Sequence, residues 1–258
     1  MARVRLDSLL TERGLFASRT RAAAAVLAGQ VHVGPGRARA GKPSQLVPAD
    51  VEVSVAEGLP YVSRGGVKLA NALDSLGIAV EGRRALDVGA STGGFTDCLL
   101  QRGAAHVVAV DVAYGELDWR LRSDARVTVV ERVNARALEP GMLPYAPGLI
   151  VIDVSFISLT KILPAVLACA ASRYDCLAMV KPQFELGRGR VGKGGVVHDP
   201  ALRREAIASV AACGRELGAA VVGYAPSGLP GPAGNRETFV WLAKAGRSGP
   251  GSLDEVDV

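Results

Sequence analysis

The sequence lacks the features of a membrane, disulfide-bonded or metal-binding protein. No stretch of its 258 residues approaches the roughly 20 apolar residues that a membrane-spanning helix needs, and its first ten residues mix charged with apolar side chains, unlike a signal peptide. The four cysteines form no C-x-x-C pair, so we interpret them as reduced thiols. The three histidines are scattered, and we expect no metal site. These absences predict a cytoplasmic protein.

Aromatic residues are also few. Five Phe, five Tyr and two Trp do not suggest an aromatic platform on which single-stranded bases stack. If the protein binds RNA, the scarcity favours recognition of folded RNA shape.

Positive charge is concentrated at one end of the chain. Residues 1–42 contain eight basic and two acidic residues, a net charge of +6. The remaining residues contain 22 basic and 23 acidic residues, a net charge of −1, so the formal +5 of the whole chain comes from its first sixth. This asymmetry favours a basic binding module attached to a nearly neutral domain.

The basic segment belongs to a predicted α+β unit over residues 1–57. The apolar pattern predicts a helix over 3–14 and a second helix that follows Ser18 and ends at Gly29. Alternating apolar residues then predict strands, the last of which is VEVSV. Glycine and proline in residues 58–61 indicate a linker.

The pattern changes after the linker. Over residues 62–245, short apolar runs rich in β-branched residues, such as 106–111, alternate with helical segments, such as 117–122 and 159–171. This alternation predicts an α/β fold with a doubly wound parallel sheet. The last run, over 238–242, is expected to be antiparallel. Residues 246–258 are rich in Gly and Ser and then acidic, so we expect a disordered tail.

A glycine-rich segment, DVGASTGGF, follows the first predicted strand of the larger domain. Glycine lets a backbone pass close to a ligand, and Asp111, at the end of the next strand, can accept hydrogen bonds from both hydroxyls of a ribose. The order D-x-G-x-x-x-G-G differs from the dinucleotide pattern and suits S-adenosylmethionine (SAM), with Asp87 beside the methionyl ammonium. A glycine-rich turn without a ligand is the alternative, and the position of Asp111 weakens it.

Four charged residues are predicted near one edge of the sheet. Asp153 and Lys181 end strands, at the edge where open α/β sheets bind ligands, while Lys68 precedes the sheet and Glu237 begins its last strand. A lysine in a water-poor cleft can act as a base, which helps a ribose hydroxyl to attack a sulfonium methyl. Taken singly, Lys68 or Glu237 could equally be a surface charge or a local salt bridge.

Longer segments carry a specific resemblance. VSRGGVKL, LDVGASTGGFTD, VAVDVAYGEL, DVSFISL, VKPQFELGRGRVGKGGVVHD and GPAGNRETF resemble the TlyA family of ribosomal RNA cytidine-2′-O-methyltransferases, also called hemolysins. Only the acidic tail lies outside the resemblance. It implies an S4-type RNA-binding domain over 1–57 and an FtsJ-like Rossmann methyltransferase domain over 62–245, with SAM as methyl donor.

The resemblance also implies roles for individual residues. The catalytic set would be Lys68, Asp153, Lys181 and Glu237, with Lys181 as base or proton acceptor and the others positioning the hydroxyl and tuning the lysine. The implied SAM-binding residues are Asp87, Gly89, Ala90, Ser91, Gly93, Gly94 and Asp111, with Asn134 on the adenine side.

Basic side chains near the N-terminus are predicted to contact RNA phosphate, which gives salt-dependent affinity with little sequence information. They are Arg3, Arg5, Arg19, Arg21 and Lys42, and a solvated basic helix face is the alternative. A second basic group, Arg188, Arg190 and Lys193, lies in a Gly-rich loop after Lys181 and could hold RNA over the active site. Phe156 could stack on a flipped base or be a core aromatic.

The predicted reaction is 2′-O-methylation of cytidine in large-subunit rRNA. In the family that the chain resembles, members with a longer N-terminus also modify small-subunit rRNA, and the full helix predicted at the start of this chain favours that group. The family also links this methylation to capreomycin-type antibiotic sensitivity. One basic module is enough for a monomer to act. Base methylation is not expected, because Asp153-Val154-Ser155-Phe156 stands where amine methylases have Asn/Asp-Pro-Pro-aromatic.

Two other classes of function remain open. The first is a membrane-active hemolysin, for which the sequence has no span, signal or strongly amphipathic lytic helix. The second is a non-catalytic RNA-binding protein, which the intact four-residue set and glycine loop argue against.

Overall fold

The computed structural model describes residues 3–27, 29–36, 38–55, 60–249 and 252–253, except for the side chains of Arg188 and Lys193. The chain divides into two compact units, Met1–Leu59 and Pro60–Val258. Half of the predicted linker, 58–59, and most of the predicted acidic tail lie outside the described residues.

The smaller unit has two short helices and two small antiparallel sheets. Strand β1 pairs with β4, and β2 lies between β3 and β5. Leu6, Leu10, Val26 and Val31 are buried at the centre of its apolar core. The elements are β1 (Arg3–Arg5), α1 (Leu6–Glu12), α2 (Arg19–Leu27), β2 (Val31–Val33), β3 (Ala38–Arg39), β4 (Leu46–Pro48) and β5 (Val53–Val55).

The prediction of a helix from residue 3 is wrong at its start. Arg3–Arg5 is a strand that alternates exposed, half-buried and exposed residues and pairs with Leu46–Pro48. Sheet partners distant in sequence override the local helical pattern there. The second helix is confirmed, because Ser18 Oγ accepts a hydrogen bond from the Arg21 N–H at 3.3 Å and Gly29 ends the turn with φ +75°.

The larger unit contains a seven-stranded sheet in the order β11-β12-β10-β9-β6-β7-β8. Strand β12 runs antiparallel to both neighbours, and the other pairs are parallel, which confirms the predicted α/β fold and its antiparallel last strand. The strands are β6 (Arg84–Val88), β7 (His106–Asp111), β8 (Val127–Glu131), β9 (Leu149–Ile152), β10 (Asp175–Val180), β11 (Ala219–Pro226) and β12 (Thr238–Lys244).

Helices cover both faces of this sheet. Side chains of α3 and α4, such as Leu69 and Leu99, pack in one apolar cluster, and those of α6 and α8, such as Val166 and Val210, pack in another. Every residue of β9 and β10 is buried, as expected for central strands of a doubly wound sheet. The helices are α3 (Arg64–Leu76), α4 (Gly94–Gln101), α5 (Trp119–Arg122), α6 (Leu163–Ala168), α7 (Pro182–Glu185) and α8 (Pro200–Glu216).

The predicted helix over 159–171 is interrupted. A 3₁₀ turn, Leu159–Lys161, precedes α6, in which Pro164 occupies the first turn, where a missing N–H does no harm. The segment predicted as a helix over 117–122 is shorter, because α5 begins only after Asp118, whose side chain accepts a hydrogen bond from the Arg120 N–H at 2.9 Å.

Candidate active site

The candidate site lies at the C-terminal ends of β6, β7, β9 and β10. The chain continues from β6 to β7 on one side, whereas β9 pairs with β6 on the other, so the strand order reverses at β6. Ligands of open α/β sheets bind outside the carboxyl ends of the strands at such a reversal. The topology therefore favours a ligand site between the loops that follow β6 and β9.

Two adjoining cavities occupy this edge. The first has a volume of about 910 Å³ and the second about 610 Å³. Asp111 and Asn134 line the first cavity, and Lys68 and Glu237 line the second. The residues that line both are Gly89, Ser91, Asp153, Ser155, Phe156, Gln183 and Phe184.

The polar edge of the first cavity is built around Asp111. Its two carboxylate oxygens accept backbone hydrogen bonds from Ser91 at 2.7 Å and Ala113 at 2.8 Å, which fix the side chain and leave lone pairs for further donors. The Asn134 Oδ1 accepts from the Arg136 N–H at 3.1 Å, so the amide nitrogen of Asn134 is left to donate. Because apolar side chains such as Val133 and Ile162 line the same cavity, a nucleoside fits it.

Three glycines of the loop are required by packing. Gly89 has φ +85°, and a Cβ there would lie 2.3 Å from the Asp153 carbonyl oxygen, so only glycine lets this loop approach β9. A Cβ on Gly93 would lie 2.3 Å from Leu121 Cδ1, and one on Gly94 would lie 2.1 Å from Ser63 Oγ. Gly89 and Gly94 line a cavity together with Ala90, whereas Gly93 lines neither.

Asp87 lies beneath the glycine loop and lines neither cavity. Its carboxylate is fully buried, with Oδ2 accepting from Thr96 Oγ1 at 2.7 Å and Oδ1 without a partner among the residues that the structure describes. Burial raises the pKa of Asp87 to about 7, although the Thr96 hydrogen bond opposes the rise. The geometry does not bring this carboxylate to the cavity surface, where the prediction put it beside the methionyl ammonium.

The four predicted catalytic residues all line the second cavity. Lys68 and Glu237 form an ion pair whose side chains are only 9% and 1% exposed, and Glu237 Oε1 has no hydrogen-bond partner in the described part of the chain. Lys181 Nζ lies 2.6 Å from Asp153 Oδ1 and donates to Ser155 Oγ at 2.9 Å. Two lysine–carboxylate pairs thus face one cavity, where they can orient a hydroxyl and accept its proton.

Phe156 is a surface residue, so its interpretation as a core aromatic is wrong. It is 90% exposed, has φ +64°, and its ring centroid lies 5.2 Å from that of Phe184. A positive φ in a non-glycine residue costs about 1–3 kcal/mol and is found at functional sites. Both rings line the two cavities, where an extruded base could stack.

The N-terminal basic side chains differ in whether other groups of the protein already bind them. Arg5 makes two hydrogen bonds to the buried Asp7, at 2.7 and 3.1 Å, and Arg19 lies 3.5 Å from the same carboxylate. The Arg5 hydrogen bonds hold the pKa of Asp7 at about 2. Arg21 and Lys42 are exposed. Arg3, also exposed, donates to the Leu46 carbonyl at 3.3 Å.

The second basic group lies on two 3₁₀ turns, Arg188–Arg190 and Lys193–Gly195. Arg190 forms an exposed ion pair with Glu205. The side chains of Arg188 and Lys193 lie outside the described residues, so their predicted RNA contacts stay predictions.

Sequence reasoning missed three residues of the shared wall. Ser155 follows Asp153 by two residues, and Gln183 and Phe184 follow Lys181 by two and three. Their position directly after strand ends was the available signal. Whether such residues face a cavity depends on loop conformation, which the sequence pattern does not specify.

Comparisons with known proteins identify the family of this chain. The FtsJ-like methyltransferase family profile matches residues 61–244. A protein of Mycobacterium tuberculosis named 16S/23S rRNA (cytidine-2′-O)-methyltransferase TlyA is 51% identical over 242 residues, 93% of this chain and 90% of the relative. A Brachyspira hyodysenteriae protein named Hemolysin A is 41% identical over 82% of this chain and 89% of its own length.

A solved structure of a hemolysin-named protein from Streptococcus thermophilus also matches. Its TM-score is 0.74 at 39% identity, and the match covers 98% of this chain and 92% of that one. The similarity therefore extends over both compact units.

Proposed function

This chain belongs to the TlyA family of FtsJ-like methyltransferases, and we propose that it methylates the 2′-hydroxyl of cytidine in ribosomal RNA with SAM as donor. One observation carries the proposal. Lys68, Asp153, Lys181 and Glu237 come from four separate segments and meet in the second cavity, which adjoins the first cavity with its Asp111 and Asn134. A methyl donor and a hydroxyl acceptor could meet at the wall that the cavities share.

The residues of the first cavity fit SAM, which supplies an electrophilic methyl group when bound. Asp111 would accept hydrogen bonds from the ribose hydroxyls, and Asn134 would donate to the adenine. The backbone of Gly89, Ala90 and Ser91 would lie alongside the bound nucleoside. Glycines 93 and 94 would support the loop by packing. Asp87 would act from beneath the loop, through its hydrogen bond to Thr96, rather than by direct contact.

Lys181 would accept the proton of the 2′-hydroxyl. Asp153, 2.6 Å away, would stabilise the ammonium that forms, because a carboxylate favours the charged amine. The Lys68–Glu237 pair would orient the acceptor ribose, with the unpartnered Glu237 Oε1 available to accept a hydroxyl hydrogen bond. Positioning and proton acceptance are the two requirements of this reaction.

RNA would be bound by the smaller unit, which we propose is an S4-type domain. Because Asp7 already neutralises Arg5 and Arg19 in part, we expect Arg21 and Lys42 to contribute more of the phosphate affinity. Phe156 would stack on the flipped cytidine. The loop with Arg188, Arg190 and Lys193 would hold the RNA near Lys181, with Arg190 exchanging Glu205 for phosphate.

We propose both ribosomal subunits as substrates. The argument from a full N-terminal helix fails, since residues 3–5 form a strand, but the relative at 51% identity is named for both rRNAs. The enzyme would act as a cytoplasmic monomer. On the family resemblance, its loss would reduce sensitivity to capreomycin-type antibiotics, which growth of a deletion strain on the drug would test.

Transfer of tritiated methyl groups from SAM to purified ribosomal subunits tests the proposal. Wild type should label the RNA, Lys181→Ala should not, and Lys244→Ala, an exposed lysine at the far end of β12, should match wild type. Mapping the methyl groups to cytidine 2′-oxygens on each rRNA identifies the substrates. No incorporation by wild type would refute the proposed function, while label that survives in Lys181→Ala would refute the role of that lysine.

The name of the Brachyspira relative favours a lysis assay as the second test. No helix among the described residues is long and apolar enough to cross a membrane. We therefore expect purified protein to methylate RNA at concentrations that leave erythrocytes intact. Lysis that persists in Lys181→Ala would show a second activity independent of methyl transfer.

A further inference from the structure

We propose that Ser155 relays the proton of the 2′-hydroxyl to Lys181, an inference that rests on the proposed methyltransferase function. Ser155 would then be a further catalytic residue, because its hydroxyl would contact the reacting oxygen. The geometry that points to it is the 2.9 Å contact of Ser155 Oγ with Lys181 Nζ, together with the position of Ser155 in the wall shared by the two cavities.

Lys181 is set back from the first cavity. It lines only the second cavity, whereas Ser155 lines both. Among the described residues, Lys181 Nζ contacts Asp153 Oδ1 at 2.6 Å and Ser155 Oγ at 2.9 Å. Because the acceptor oxygen must lie near the boundary to reach a donor in the first cavity, the serine hydroxyl is better placed than the lysine to contact it.

The relay moves two protons in one direction. The 2′-hydroxyl proton passes to Ser155 Oγ as its O–H bond breaks. The proton that Ser155 held passes to Lys181 Nζ, which has first released one ammonium proton to solvent, and forms an N–H bond there. Ser155 ends as a neutral hydroxyl, and Lys181 ends as an ammonium beside Asp153. The ribose oxygen keeps the electron pair and uses it to bond the methyl carbon, whose bond to sulfur breaks.

A second serine in the same loop, Ser158, lines only the first cavity, and its hydroxyl makes a different set of contacts. Ser158 Oγ donates to the Glu185 carboxylate at 2.5 Å, and the same carboxylate accepts from the Leu159 N–H at 2.9 Å. This contact holds the loop after β9 to α7. Ser155 is exposed, and its Oγ accepts a hydrogen bond from Lys181 Nζ at 2.9 Å. The two serines therefore provide a matched pair, one for chemistry and one for loop position.

The experiment measures single-turnover methyl transfer to ribosomal subunits in mixtures of H₂O and D₂O. For wild type, the transfer of two protons in the same step should make the rate a curved, not a linear, function of the deuterium fraction. Ser155→Ala should lower the rate by about 10²-fold, the usual effect of losing a proton-transfer group, and the dependence should become linear. Ser155→Thr retains a hydroxyl and should retain the curved dependence of rate on deuterium fraction. Ser158→Ala should lower thermal stability and leave the curve unchanged.

A second measurement needs no turnover. In the enzyme without SAM, Ser155→Ala should shift the NMR signal of the Lys181 side-chain nitrogen, since it removes one hydrogen-bond acceptor, and Ser158→Ala should not. S-adenosylhomocysteine should bind Ser155→Ala as it binds wild type. An unchanged lysine signal, a wild-type rate, or a slow Ser155→Ala that keeps the curved dependence would each overturn the relay. Wild type that transfers no methyl group would instead overturn the proposed function.

Discussion

The buried Lys68–Glu237 pair should couple stability to activity, and a double-mutant cycle can separate the two. Lys68→Met removes the ammonium but leaves the Glu237 side chain only 1% exposed and without its ion-pair partner. Breaking a buried ion pair by removing one partner costs about 3–5 kcal/mol, because an uncompensated charge stays buried. We expect a loss of this size in the free energy of unfolding.

Glu237→Gln should cost a similar amount, since the Lys68 side chain is 9% exposed and loses its carboxylate. The double variant buries no charge at either position. Replacing a whole buried pair is often neutral, so its cost should lie at least about 2 kcal/mol below the sum of the single costs. Methyl transfer should be lost in all three variants, because each lacks at least one of the two charges that the proposed orientation of the ribose requires.

Urea unfolding of the full chain gives the free energies, and tritiated methyl transfer gives the activities. The control is Arg120→Met, which breaks an exposed pair with Asp118 and should cost less than about 1 kcal/mol. Additive costs for Lys68 and Glu237 would contradict the reasoning, because they would mean that the two side chains do not interact in solution. An active double variant would refute their proposed role in orienting the ribose.

Three further predictions concern the loop, the exposed ring and the basic unit. Burial raises the pKa of Asp87 to about 7, so the folded protein keeps a proton that the unfolded chain releases above about pH 4, and stability falls as the pH rises between these values. The free energy of unfolding of Asp87→Asn, measured with urea, should therefore rise by about 3 kcal/mol relative to that of wild type between about pH 5 and about pH 8. Parallel pH profiles of the two proteins would contradict this prediction. Phe156→Leu should leave the unfolding free energy within about 0.5 kcal/mol and weaken single-turnover methylation by about 10- to 100-fold, whereas normal methylation would argue against stacking. Arg21→Ala and Lys42→Ala should each reduce the slope of log affinity for rRNA against log salt by about one, while Arg13→Ala, whose guanidinium donates to backbone carbonyls, should leave the slope unchanged.

The sequence predicted the larger unit well where strands are continuous apolar runs. The run over 106–111 became β7 with the same bounds, because its β-branched residues are buried between parallel neighbours. Short strands were harder to predict. β1 has three residues and is defined by its pairing with Leu46–Pro48, a partner that no local pattern reveals.

The candidate site shows the same division between local and distant information. Asp153 and Lys181 could be placed at strand ends from the alternation of runs, and their 2.6 Å contact follows from neighbouring parallel strands. The burial of Asp87 could not be predicted, since it depends on how α4 brings Thr96 over the carboxylate. Likewise, the Asp7 contacts of Arg5 and Arg19 join residues that composition counts only as charges.

The distribution of paired charges explains why the enzyme would need a separate basic unit. In the second cavity, Lys68 is paired with Glu237 and Lys181 with Asp153, so the proposed catalytic lysines would contribute no net positive charge to attract phosphate. On this proposal, RNA affinity would come from cations elsewhere, and the first 42 residues hold a net +6. It follows that Lys181→Ala should abolish chemistry and leave the salt dependence of rRNA binding unchanged, whereas Lys42→Ala should change the salt dependence and leave the single-turnover rate on saturating RNA intact. A change in the salt slope on losing Lys181 would show that its charge is not neutralised by Asp153 when RNA binds.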